Sequence, residues 1–170
     1  MLKPKPASAS LAISTQFVMP DHTNTLGNLM GGKLLHWMDL ISAVSAHRHS
    51  GRVVVTASVN NVSFNKSIRL GDVVILQAKV SRAFTSAMEV FIDVWVEAHD
   101  TGERVKCNEA IYTFVAVDQN GSPIQVPPVV PESEEEKQRF DAALRRRQLA
   151  LILAGKMKPE EATELKALFA

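Results

Sequence analysis

The stretch NTLGNLMGGKLLHWMD, Asn24 to Asp39, gathers residue types from which an acyl-transfer or hydrolytic site could be built. Gly31 and Gly32 stand directly before a helix-forming run. The first N–H groups of a helix have no intrahelical partner, and the positive end of its dipole lies there. Aimed at a carbonyl oxygen, such groups stabilise an oxyanion. A glycine pair also makes a tight turn that lets a helix pack on a sheet, and spacing alone does not choose between the two. Asp39 follows roughly 10 Å along the axis, at 1.5 Å per residue. It shares a helical face with Leu35, Met38, Ser42 and Ala46, which are three or four residues apart, and so is expected to be buried. Such a carboxylate is either tied to a nearby backbone or hydroxyl group, or faces a reaction zone as general base or nucleophile. Asn24 and Asn28 precede the glycines. They either shape a turn or hold a water or a carbonyl oxygen.

Other chemistries lack their residues. The chain has no G-x-S-x-G, no G-x-x-x-x-G-K-[ST] and no H-E-x-x-H. His22, His36, His47, His49 and His99 do not stand at metal-ligand spacing, so no metal is expected. His47 and His49 read as an exposed helix exit. The 170 residues carry a net charge of +1, which gives no basic field for nucleic acid. Cys107 is the sole cysteine, which rules out an intrachain disulfide, and it reads as a small buried hydrophobe. The start MLKPKPASAS has no apolar signal region, and no apolar run is long enough to span a membrane. A soluble, cytoplasmic protein is expected.

The elements that must position these residues follow from period. Residues 1–10 read as a flexible tail. A strand is expected at Leu11–Met19 and a helix from Gly32 to His47, with a glycine exit at Gly51. The period then changes to two. VVVTASVNNVSF (Val53–Phe64) and Val73–Ser81 read as strands. In Met88–Ala98, Met88, Val90, Ile92, Val94 and Val96 face one way. Glu89, Phe91, Asp93, Trp95 and Glu97 face the other. Asp100-Thr101-Gly102 forms a hairpin into Val105–Val117. The order predicts an α+β domain over 11–122: an antiparallel sheet, its last four strands joined by hairpin-like turns, wrapped around one helix. A proline-rich linker, 123–132, leads to a helical extension, 133–170. Its first helix opens at Ser133 with Glu136 three residues on. That extension docks on its own sheet or on a neighbouring subunit. Arg145-Arg146-Arg147 is either a solvated face or a basic patch.

The strand, the loop NTLGNLMGG and the helix with Met38-Asp39 resemble the hot-dog-fold acyl-CoA thioesterases. They are most similar to the acyl-CoA hydrolase group of bacterial short proteins and animal cytosolic enzymes. IRLGD (Ile68–Asp72) and SRAFTSAMEV (Ser81–Val90) fit the same pattern. The resemblance covers about residues 11–120. It implies a five- or six-stranded sheet around the helix, sheets paired edge to edge in a dimer, and dimers assembled into hexamers. It implies hydrolysis of acyl-CoA to free fatty acid and CoA, with no cofactor. Asn24 of one subunit and Asp39 of the other would form one site, with the thioester oxygen on the Gly31 and Gly32 N–H groups. Asp39 would act as base or nucleophile. Lys66, Arg69 and Arg82 would meet the anionic CoA, and Thr85, Ser86 and Met88 would line the pantetheine groove. Met30, Leu35 and Met38 would line the acyl pocket. Met30 departs from the Phe or His of many relatives, and Asn28 from the Asp of some. Two other functions fit the residues: a hot-dog enoyl-CoA hydratase or dehydratase, which wants an Asp–His pair that His22 fits poorly, and a non-catalytic acyl-CoA-binding protein.

Overall fold

Alternating β-branched runs build one five-stranded antiparallel sheet in the computed structural model, which describes residues 1–64 and 66–170. The elements in chain order are β1 (Lys5–Pro6), β2 (Ala12–Phe17), helix α1 (Gly31–Ser50), β3 (Val53–Asn60), β4 (Val73–Ala83), β5 (Ala87–Glu97), β6 (Arg104–Val117), β7 (Val129–Val130), helix α2 (Glu134–Leu153) and the short helix α3 (Thr163–Lys166). The sheet order is β2-β4-β5-β6-β3. Helix α1 lies across its inner face. It buries Leu34, Trp37, Met38, Ile41 and Ala46, spaced so that they form one stripe. They pack on inward residues such as Leu76, Ile92 and Phe114. Gly51 ends α1 at φ +65°, donating its N–H to the His47 carbonyl at 2.7 Å. The expected α+β architecture, one helix inside a curled antiparallel sheet, is the one observed.

Four details differ from expectation. β4, β5 and β6 are joined by hairpins, but β3 and β4 are not. β3 lies at the far edge against β6, while β4 sits between β2 and β5. The connector is too long for a hairpin. It runs past the start of α1 instead, where Leu29 N–H donates to the Ile68 carbonyl and Leu70 N–H to that of Gly27. β3 also stops at Asn60, before the Asn61 backbone turns to φ +56°.

The first residues are not a loose tail. Lys5–Pro6 pairs in parallel with Val129–Val130 of the proline-rich segment. Ala7 and Ser10 are buried, and the Ser10 hydroxyl accepts the Val80 N–H at 2.8 Å. Lys5 Nζ donates to the carbonyls of Arg48 and His49, which puts a cation at the negative end of α1. His49 is not at an exposed exit. It is fully buried, with Nε2 2.7 Å from the Pro127 carbonyl, and burial lowers its pKa.

The C-terminal helix docks on the chain's own sheet. Ser133 caps α2 by accepting the Glu136 N–H. Two outer-face acids of β5, Glu89 and Asp93, are covered by it. Arg146 makes a two-pronged pair with Glu89 at 2.7 and 2.9 Å, and Arg139 makes one with Asp93 at 2.8 and 3.0 Å. The Arg139 guanidinium also lies 3.8 Å from the Phe91 ring centre. Arg146 is therefore committed inside the fold, which takes it out of any basic patch.

Candidate active site

The start of α1 offers donors. Met30 caps the helix without a side-chain bond, and its carbonyl takes the N–H groups of Lys33 and Leu34 at 3.0 and 3.1 Å. Among the described residues, the Gly31 and Gly32 N–H groups meet no backbone acceptor. The two glycines differ. A Cβ on Gly31 would come within 3.3 Å of the Phe64 ring, whereas one on Gly32 would meet nothing within 4 Å. Packing accounts for the first glycine and leaves the second unexplained by the chain itself.

Asp39 is half-buried, at the border of the packed stripe and not within it. The buried stripe is centred on Trp37, Met38 and Ile41, a few tens of degrees round from the face expected. Its carboxylate Oδ1 accepts the Thr56 hydroxyl at 2.7 Å. Thr56 comes from β3, just where the β3–β6 register shifts between Thr56 and Ser58. Such a bulge re-aims side chains. Asp39 opens onto a cleft lined also by Gly32, Leu35, His36, Val59 and Tyr112. The Tyr112 hydroxyl donates to the Leu35 carbonyl at 2.9 Å, one turn before Asp39. Burial, and next the negative charge of Asp39, push the Tyr112 pKa up to about 12.

Asn24 lies elsewhere. Its Oδ1 accepts the N–H groups of Leu26 and Asn28 at 3.0 and 3.2 Å, so it shapes the loop. It lines a second cavity, of about 290 Å³, together with Asn28, Gly31, Phe64, Lys66 and Asn108. Within one chain Asn24 and Asp39 thus face two separate hollows, which share the Phe64 wall.

The residues expected around CoA and the acyl chain are scattered. Lys66 borders the Asn24 cavity and donates to the Lys106 carbonyl at 3.2 Å. Arg69 is exposed in the loop that bridges to Asn28. Arg82 is held under α2, donating to the Phe140 carbonyl at 3.0 Å and lying 4.0 Å from its ring centre. Burial lowers its pKa. Thr85 is exposed and Ser86 half-buried, in the turn between β4 and β5. Met88 does not line a groove: its parity on β5 points it inward, and it is fully buried in the core. Met38 is likewise core, because it lies in the middle of the packed stripe. Met30 is exposed, and Leu35 alone of the expected acyl-pocket residues faces the Asp39 cleft. His22 takes the Met19 N–H on Nδ1 and packs edge-on against Trp37, away from Asp39's cleft. Sequence reasoning missed Thr56, Tyr112 and Asn108, since each reads as an ordinary strand residue until the sheet is closed.

The family model described as Thioesterase superfamily matches residues 26–103. An uncharacterized acyl-CoA thioester hydrolase of Bacillus subtilis is 44% identical over 137 residues, covering 81% of this chain and 80% of its own length. Mouse acyl-coenzyme A thioesterase 11 is 40% identical over 144 residues, or 85% of this chain, but the chain spans only 24% of that longer protein. Among solved structures, an apo-hexameric acyl-CoA thioesterase superposes with a TM-score of 0.86 at 38% identity, over 90% of this chain and 98% of its own. The acyl-CoA hydrolase of Staphylococcus aureus, solved with butyryl coenzyme A, superposes at 0.83 and 35% identity, over 89% and 94%. That enzyme has also been solved with alanine in place of an aspartate, an asparagine and a threonine.

Proposed function

The chain belongs to the thioesterase superfamily, among its acyl-CoA thioester hydrolases, and from that premise we propose that it hydrolyses acyl-CoA at a site completed by a second copy of itself. The observation that carries the reading is the Asp39 carboxylate. It is held from one side by Thr56 and is open to a cleft that begins at Gly32, at a helix end whose first N–H groups meet no backbone acceptor among the described residues.

The roles follow from that geometry. With Oδ1 engaged by Thr56, the remaining carboxylate oxygen is the base that takes a proton from water. The water attacks the thioester carbon, and the Gly31 and Gly32 N–H groups receive the developing oxyanion. CoA leaves as the thiolate, a good enough leaving group that no histidine relay is needed. Asn24 positions the water or the thioester. Support for the residue set comes from the S. aureus enzyme. Its substituted asparagine, aspartate and threonine are fifteen and then seventeen residues apart, as Asn24, Asp39 and Thr56 are here.

The separation of Asn24 from Asp39 within one chain is the reason for a second copy. β3 is an edge strand, paired on one side only, with Val53, Val55 and Val59 exposed. An apolar unpaired edge favours pairing with another chain. A dimer formed there, and assembly of dimers into a hexamer, is the arrangement we assign. Acyl-CoA is the substrate, and the cytoplasm is the proposed location, in keeping with relatives named as cytosolic and with described helices too short or too polar to cross a membrane.

Two inactive variants provide the test. Asn24→Ala and Asp39→Asn are each expected to lose most free-thiol release from acyl-CoA while remaining oligomeric. Unfolding and refolding them together is expected to restore about a quarter of the sites as intact pairs. Reassembled mixtures that stay inactive would argue against sharing, and near-normal turnover by Asp39→Asn alone would remove its role.

A further inference from the structure

The cavity beside Gly31 contains a polar group that the hydrolytic chemistry does not use. Asn108 stands on β6 with the inward parity of Ala110, Tyr112 and Phe114. It is 8% exposed, and among the described residues its Nδ2 is buried without a hydrogen-bond partner. It shares the cavity with apolar Leu29, Leu34, Ile68 and Phe64 and with Gly31 at the helix start; of the other polar residues there, Asn24, Lys66 and Ser67 are exposed and Asn28 is half-buried, so Asn108 is the buried polar side chain of the lining. A buried amide already short of one partner is costly in a native fold, and what enters the cavity adds to that cost if it strips water from the part of the carboxamide that is still reachable.

We infer that Asn108 is the specificity-determining residue of this cavity and restricts the enzyme to short acyl groups. The inference rests on the reading that the acyl end of the thioester enters beside Gly31. The limit is one of polarity and not of room. About 290 Å³ would admit a chain of roughly nine or ten carbons, taking a water-sized ~30 Å³ for each. A short acyl group leaves water on the amide. A longer alkyl chain displaces that water and offers the reachable end of the Asn108 carboxamide nothing, which penalises binding by about 5- to 150-fold. In either orientation of the carboxamide, a polar atom faces the chain, so the conclusion does not depend on which end carries the nitrogen.

The test is the ratio of kcat/KM for octanoyl-CoA to that for butyryl-CoA. Asn108→Leu keeps the branching of the side chain and removes its polarity. Asn108→Ser keeps polarity and enlarges the cavity. The wild-type protein is expected to favour butyryl-CoA. The leucine variant is expected to raise the ratio by about tenfold or more, and the serine variant to leave it within about threefold. Asn108→Val replaces the leucine variant if the latter does not melt cooperatively. A wild-type preference for octanoyl-CoA, an unchanged ratio in the apolar variant, or a serine variant that relaxes the ratio as much as leucine does would each overturn the inference. Butyryl-CoA hydrolysis with an unchanged ratio removes only the role of Asn108. Absence of thiol release at every chain length removes the thioesterase reading along with it.

Discussion

Thr56→Val tests the site at its best-defined contact. Valine has nearly the shape of threonine and suits a strand, so β3 should form as before. What is lost is one hydrogen bond from a hydroxyl to a carboxylate, 2.7 Å long. Bonds of that kind contribute about 1.5–3 kcal/mol, and each ~1.4 kcal/mol is a factor of ten in rate. Thr56 is exposed in the single chain, where water competes for Asp39. The expected loss in kcat is therefore about tenfold, rising toward ~100-fold if a second copy excludes water from the cleft. KM should change by less than about threefold, because Thr56 acts through Asp39 and not on CoA. Thr56→Ser, which keeps the hydroxyl, should recover most of the rate. In an Asp39→Asn background the valine change should cost little more, since the two residues act as one unit. Steady-state thiol release measures all four proteins. A Thr56→Val enzyme within twofold of wild type in kcat, or losses that multiply in the double variant, would refute the assignment of Thr56 as the residue that orients the base.

Further expectations concern the helix start, the buried titrating groups and the docked helix. Gly32→Ala meets no atom of its own chain and should stabilise α1 by up to ~1 kcal/mol in thermal melts; if Gly32 is present for substrate approach, kcat/KM should nonetheless fall by about tenfold or more, and unaltered kinetics would return it to a turn-forming role. His49 has its pKa lowered in the folded state by burial, so the unfolded chain binds more protons near its ordinary pKa of 6.5; denaturant midpoints should hold above pH 6.5 and fall as pH drops below it, and His49→Gln should flatten that acid limb. Tyr112 has its pKa raised to about 12, so the stability it contributes is present below about pH 10 and is lost as pH rises from there toward 12; Tyr112→Phe should remove that slope in alkaline unfolding curves. Arg146→Met leaves the buried Glu89 carboxylate, among the described residues, with only the Ser81 hydroxyl at 2.6 Å, and calorimetry should show a loss on the order of 2–3 kcal/mol after allowing for the partial exposure of Arg146. The companion Glu89→Gln change in that background should recover part of the loss.

What could be read in advance, and what could not, divides along the range of the forces involved. The placement of Asn24 in a loop, of Gly31 and Gly32 at a helix start and of Asp39 on that helix was legible because it is local: all are set within sixteen consecutive residues. Period-two alternation likewise located β4, β5 and β6 to within a residue or two. Thr56 and Asn108 were not legible. Their meaning arises only when β3 is laid against β6 at the far edge of the sheet and α1 crosses beneath, contacts made across 17 residues for Thr56 and more for Asn108. The same holds for Arg82 and Arg146: as charges in a sequence they suggested an anionic ligand, and only the docking of α2 turns them toward Phe140 and Glu89. The misplaced stripe on α1 has a different cause. Leu35 and Asp39 sit in helical register with the core positions, so a 3.6-residue period cannot separate the face that packs on the sheet from the border that lines a cleft. That border is where a carboxylate can be held by protein on one side and still reach a substrate on the other. The half-burial of Asp39 is therefore the feature most in keeping with a catalytic base. Full burial would have demanded a partner for both of its oxygens and left none for water.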